Sequence, residues 1–162
     1  MDDYKDYKLS GTLHAPFSPM LMEFKIPQPY IDLLNNYGDK ISKSDKKFTF
    51  RGMHYQTDPY QIKTLKIIQG SAIDFIYNIE TKDVIKFDLS DKSDQLTIGP
   101  NYAHGFLTLE PNTIALYGVE GKFNPDTYTS IPYHTIPKIK EIVNETVVEG
   151  LITISEKDNI GS

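Results

Sequence analysis

The sequence predicts an all-β fold, a sandwich or barrel of short strands. Three observations carry that expectation. Apolar and polar residues alternate with period 2 in several runs. Those runs are rich in β-branched and aromatic side chains, which suit a pleated, half-buried surface. Turn-forming residues separate them at spacings of about 8–14 residues, as in a sandwich or barrel. A chain of 162 residues suits one domain, taken here as 1–162, and can bury a sizeable core without disulfide or metal staples.

Taken in order, the elements begin with a helix candidate. After Pro29, residues Tyr30, Ile31, Leu33, Leu34 and Tyr37 follow an i, i+3, i+4, i+7 stripe, and Gly38 supplies a stop. Phe48-Thr49-Phe50 reads as an apolar strand. Ile73, Phe75, Tyr77 and Ile79 alternate with Asp74, Ile76 and Asn78, and Ile85, Phe87 and Leu89 alternate with Lys86 and Asp88. Between such runs lie Asp58-Pro59, Glu80-Thr81-Lys82-Asp83, Ser90-Asp91-Lys92-Ser93, Gly99-Pro100-Asn101, Glu110-Pro111-Asn112 and Asn124-Pro125-Asp126. Proline presets φ, while Asn, Asp and Gly tolerate the left-handed region, so each is a turn for its own reason. Tyr102 to Phe106 opens a further strand. The stretch from Pro132 to Val148 stays ambiguous, because its prolines argue against one long element. Leu151-Ile152-Thr153-Ile154 reads as a last strand.

Composition narrows the function. The net charge is −5, which disfavours a nucleic-acid binder working by phosphate neutralisation. The absence of cysteine excludes disulfide scaffolds, thiolate zinc sites and cysteine nucleophiles. No apolar run approaches the roughly 18 residues of a membrane span. The polar, acidic start Met1-Asp2-Asp3-Tyr4-Lys5 does not resemble a secretory signal, so a cytoplasmic location is expected. Of 17 basic residues all but one are lysine, a drift typical of AT-rich coding. Arg51 is the exception.

That arginine lies in the densest chemical cluster, Arg51-Gly52-Met53-His54-Tyr55-Gln56. A second cluster is Tyr102-Ala103-His104-Gly105-Phe106. Two histidines at strand edges, one beside the only arginine, form a constellation with chemical potential.

These motifs resemble a known family. Phe50-Arg51-Gly52-Met53-His54-Tyr55-Gln56 looks like the Leu-Arg-Gly-Leu-His-Tyr-Gln motif of the dTDP-4-dehydrorhamnose 3,5-epimerases. Ile98-Gly99-Pro100-Asn101-Tyr102-Ala103-His104-Gly105-Phe106-Leu107 resembles that family's Ile-Pro-Pro-Gly-Phe-Ala-His-Gly-Phe-Leu. Ser155-Glu156-Lys157-Asp158 is similar to its C-terminal Ser-x-Lys-Asp. The likeness runs from about residue 42 to 158, in the same order. It implies a cupin-type jelly-roll barrel, with short N-terminal and C-terminal helical or irregular segments. It also implies a homodimer, a nucleotide-diphosphate sugar as substrate, and neither metal nor organic cofactor.

The resemblance also assigns roles. His54 falls where the family has the base that removes the proton beside a 4-keto group. Asp158 falls where an acidic partner orients that histidine; a carboxylate there fixes the tautomer and stabilises the imidazolium. Lys63 matches the lysine that holds the enolate oxygen, where charge develops only during reaction. Tyr117 matches the acid that reprotonates the opposite face. Arg51 and His104 match sugar- and phosphate-facing positions. Glu23 stands for a family glutamate, and Phe123 for an aromatic able to stack on the base. His14 and His134 match nothing and read as loop residues.

The departures cluster in nucleotide recognition. The family's N-terminal arginine has no counterpart in Pro16-Phe17-Ser18-Pro19-Met20-Leu21-Met22-Glu23. Its tyrosine pair becomes Lys122-Phe123, its downstream Arg-Gly-Ile-x-Trp becomes Thr129-Ser130-Ile131-Pro132-Tyr133, and the turn before Lys63 is one residue shorter. Asn101 replaces a turn glycine and is the next-best left-handed residue. Retained chemistry with altered recognition points to an epimerase acting at C3, C5 or both on a different nucleotide-linked 4-keto-6-deoxy sugar, in bacterial surface-glycan precursor synthesis. Competing readings are a non-catalytic sugar-binding cupin, a 3,4-ketoisomerase of the same fold, and a metal-dependent cupin. The last is disfavoured because His54-Tyr55-Gln56 lacks the second histidine of a His-x-His pair.

Overall fold

The computed structural model describes residues 6–7, 13–14, 40–93, 95–148 and 150–155. In chain order the strands among them are β1 (Asp6–Tyr7), β2 (Leu13–His14), β3 (Lys40–Ser44), β4 (Thr49–Gln56), β5 (Ile62–Gln69), β6 (Ser71–Asn78), β7 (Val84–Ser90), β8 (Leu96–Ile98), β9 (Tyr102–Thr108), β10 (Thr113–Glu120), β11 (Tyr128–Ser130) and β12 (Thr153–Ile154). A short 3-10 turn at Tyr133–Thr135 precedes one helix, α1 (Pro137–Thr146). The stripe after Pro29, with Glu23 and Asp158, lies outside the described residues. His14 sits in β2 and pairs with Thr97 instead of occupying a loop, because a two-residue edge strand leaves little sequence signal. His134 lies in the 3-10 turn.

Two sheets form. One has spatial order β1-β7-β6-β9-β4-β11, with β12 also on β4; the other runs β2-β8-β5-β10-β3. The long pairings are antiparallel, and the two-residue strands β1, β2 and β12 add in parallel at β7, β8 and β4. The turns fall where the sequence places them. Asn101 takes φ 71°, the left-handed conformation expected of it.

The first sheet is buried on both faces along its central strands β6 and β9. Towards the second sheet it sends Ala72 and Ile76 from β6, Phe87 from β7 and Phe106 from β9, which meet Leu65, Ile67, Leu96 and Ile98. Its other face, with Phe50, Ile73, Phe75 and Leu107, packs beneath Ile139, Ile142 and Val143 of α1. The Ile73–Phe75 stripe thus serves the helix layer, and the alternate stripe carrying Asp74 points between the sheets. The ambiguous stretch resolves into a turn and a helix. Pro137 occupies the first helical turn, where its missing N–H is no loss. Spacing of i, i+3, i+4 at Ile139, Ile142 and Val143 gives the face that packs down. Among the described residues, no helix is long and apolar enough to cross a membrane.

Candidate active site

The two chemical motifs are strands β4 and β9, paired side by side. Their glycines explain how close they lie. A Cβ on Gly52 would stand 2.6 Å from the Gly105 Cα, and one on Gly105 would stand 2.6 Å from the Arg51 carbonyl oxygen and 2.8 Å from the Met53 sulfur. Gly52 also takes φ 116°, a conformation that side chains disfavour. Each motif needs its glycine because the other motif's backbone fills the space.

The pairing slips between Arg51 and His54, and this slip sets the phase of the strand. Phe50 packs on the helix side, and so do Met53 and Tyr55 further along. Strict alternation would put residues 50 and 54 on one face. After the shift, His54 lies between Met53 and Tyr55 and so faces away from the helix layer. Its Cα partner on β9 is His104, which places both histidines in the same region of the sheet.

His104 makes a further pair. Its Nε2 lies 2.6 Å from Oδ2 of Asp74 on β6. Asp74 is fully buried, and its Oδ1 has no hydrogen-bond partner among the described residues. Burial pushes the Asp74 carboxyl above its ordinary range; the charge of His104 and its hydrogen bond pull the other way without cancelling the effect.

Lys63 approaches from the second sheet, on β5. Its Nζ lies 5.8 Å from the ring centroid of Tyr128 on β11. The imidazole of His54 stacks on the same ring at 5.4 Å, with 27° between planes. Phe123 meets it edge-on at 5.2 Å and is 58% exposed. Tyr128 is therefore a hub that brings His54, Lys63 and Phe123 together.

Gln56 fixes the loop that carries Phe123. Its Nε2 donates to the carbonyls of Pro59 and Lys122 at 2.8 Å each, and its Oε1 accepts from the Asn124 backbone N–H at 2.9 Å. A buried amide with donors and acceptor all satisfied defines loop position well.

Arg51 does something the motif did not suggest. Its Nε donates to Ser44 Oγ at 2.9 Å and one terminal nitrogen to the Lys43 carbonyl at 3.0 Å. The guanidinium thereby ties β3 of the second sheet to β4 of the first. Tyr117 lies in β10 with its Cα paired to Leu65 of β5, two residues beyond Lys63.

Of the residues singled out in the sequence, the structure thus gathers His54, Lys63 and Phe123 around one ring, and sets His104 beside His54. Three contributors were missed. Asp74 looked like the polar half of an alternating strand. Gln56 stood inside a motif but carried no assigned task. Tyr128 gave no signal, because its position depends on β11 folding back onto β4, with Tyr128 opposite Gln56 and Ser130 opposite His54. No three His, Asp or Glu side chains among the described residues converge as a metal-ligand set.

Comparison with known proteins agrees with the motif likeness. The sequence model of the family described as dTDP-4-dehydrorhamnose 3,5-epimerase matches residues 29–162. A protein of that name from Methanothermobacter thermautotrophicus is 32% identical over 114 residues, 67% of this chain and 60% of the relative. Another from Sinorhizobium fredii is 27% identical over 95 residues, 54% of this chain and 49% of the relative. The matched chain therefore spans about half to three-fifths of these relatives' lengths. The crystal structure of dTDP-4-dehydrorhamnose 3,5-epimerase from Bacillus anthracis, with TDP and PPi bound, superposes with a TM-score of 0.61 at 29% identity, covering 75% of this chain and 71% of that one. The shared architecture is the cupin-type jelly roll.

Proposed function

Because the chain belongs to the dTDP-4-dehydrorhamnose 3,5-epimerase family, we propose that it epimerises a nucleotide-linked 4-keto-6-deoxy sugar at C3, C5 or both. The observation that carries this reading is the approach of His54 and Lys63 to one aromatic ring from opposite sheets. A base and a cation so placed can act on adjacent atoms of one substrate, the acidic C–H and the keto oxygen.

The chemistry balances without an external reactant. His54 takes the proton from the carbon next to the carbonyl, and the C–H electron pair moves into the ring as the keto oxygen becomes an enolate. The ammonium of Lys63 faces that developing charge, where a fixed cation in a water-poor site is most effective. Tyr117 returns a proton to the opposite face of the planar enolate, and His54 passes its own proton to solvent while the tyrosinate is reprotonated. Asp158 orients His54. Arg51 and Glu23 contribute to substrate binding, and Phe123 stacks on the nucleobase from the loop that Gln56 holds. His104 presents its remaining ring nitrogen to a sugar oxygen, with Asp74 fixing the ring. A homodimer in the cytoplasm, serving surface-glycan precursor synthesis, completes the reading.

The test is deuterium uptake. Incubation in heavy water with dTDP-linked and GDP-linked 4-keto-6-deoxy sugars, read at C3 and C5 by NMR, should show exchange at one carbon or both. His54→Ala should abolish it in a folded protein. Exchange at the wild-type rate in that variant would remove His54 as the base. No exchange from wild type with either substrate would turn the reading towards a binding module.

A further inference from the structure

The base and the cation of the proposed site share the ring of Tyr128, a residue that no motif pointed to. On adjacent antiparallel strands, diagonal neighbours on one face come within reach when one is aromatic. Tyr128 is opposite Gln56 and therefore diagonal to His54. The imidazole lies 5.4 Å from its ring centroid at 27°, a stacked arrangement. This is within the distance at which a cation gains from an aromatic face. Neutral imidazole gains less from that face than imidazolium does, so the contact favours the protonated ring.

We propose that Tyr128 is a positioning residue for the base: its ring face holds the His54 imidazole in orientation and stabilises the positive charge that arrives when His54 takes a proton. The proposal rests on the reading of His54 as the base and adds to it a group that acts through that histidine. Besides Asp158, the orienting carboxylate of the proposed function, these charged groups adjoin the site among the described residues. Lys63 reaches the same ring from β5, His104 with its partner Asp74 adjoins on β9 and β6, and Arg51 lies on the same strand as His54. The ammonium of Lys63 at the same ring opposes a second positive charge there. The aromatic face offsets part of that opposition.

The experiment is a titration of the His54 Hε1 resonance by NMR, assigned from its loss in His54→Ala, in wild type, Tyr128→Phe and Tyr128→Leu. The leucine variant should lower the His54 midpoint by about half a pH unit, while phenylalanine, which keeps the face, should hold it near wild type. Tyr128→Thr, also compatible with a strand and without a ring, carries the test should the leucine variant fail to fold. The comparison is repeated in a Lys63→Met background, where the fall should persist. An unchanged midpoint in a folded ringless variant, an equal fall in Tyr128→Phe, or a fall that vanishes without Lys63 would each overturn the proposal. The titration needs no substrate. Absent deuterium uptake in wild type would therefore defeat the epimerase reading while leaving this measurement to decide the role of Tyr128.

Discussion

Asp74 shows how one residue can carry a pH dependence. Its carboxyl is fully buried, with one oxygen facing His104 and the other without a hydrogen-bond partner among the described residues. Burial raises its pKa, so the folded state binds the proton more tightly than the unfolded chain. Stability then falls as pH rises. This contribution is complete below the ordinary carboxylate value of about 3.9 and is lost as pH climbs through the raised native value. Thermal unfolding of wild type should show that decline, and Asp74→Asn should flatten it. Coincident profiles through this window would mean that the carboxyl is not the source. His104 should also lose its fixed orientation in the variant, lowering substrate affinity.

At the scale of elements, the paired strands β4 and β9 are the working unit. Their glycines permit a backbone approach that side chains would block, and the register shift between Arg51 and His54 turns the histidine away from the helix layer. Gly105→Ala should therefore cost more than a propensity change. Its Cβ would meet the Arg51 carbonyl, which is backbone and cannot rotate away. Strand separation or a shifted register should follow, with a loss of about 1–3 kcal/mol in urea unfolding and a fall in deuterium exchange larger than the stability loss explains. A variant as stable and active as wild type would show that the close approach is dispensable. The Gln56 latch belongs to the same scale, since one buried amide on β4 holds the loop that presents Phe123.

The whole molecule separates two tasks across one sheet. One face of the first sheet meets the second sheet and includes the candidate site; the other is covered by α1. Ile139 is fully buried in that second layer. Ile139→Ala should cost about 2–4 kcal/mol through lost burial and the cavity left behind. Exchange per folded molecule should stay close to wild type, because the helix layer contributes no group to the chemistry. A fall in exchange matching the loss of the base would show that the two faces are coupled.

Much of this was readable in the chain. Period-2 alternation and turn chemistry determine an all-β fold, because a strand's faces and a turn's φ angles are local properties. The motifs around His54 and His104 determine the family, since they keep residue types and spacing together. Asn101 announces its left-handed turn by the same local logic. Contacts between distant segments had to come from the tertiary structure. Asp74 reads as the solvent half of a strand until both faces of its sheet are seen to be covered. The prolines around α1 read as breakers until Pro137 is found at the first turn. Arg51 reads only as a group facing phosphate or sugar, and its second task, tying β4 to β3 through Ser44 and the Lys43 carbonyl, shows only in the folded chain. Tyr128 becomes a neighbour of His54 only when β11 folds back on β4. Alternation tells which residues share a face, but which face is buried, and against what, depends on long-range packing that no local spacing encodes.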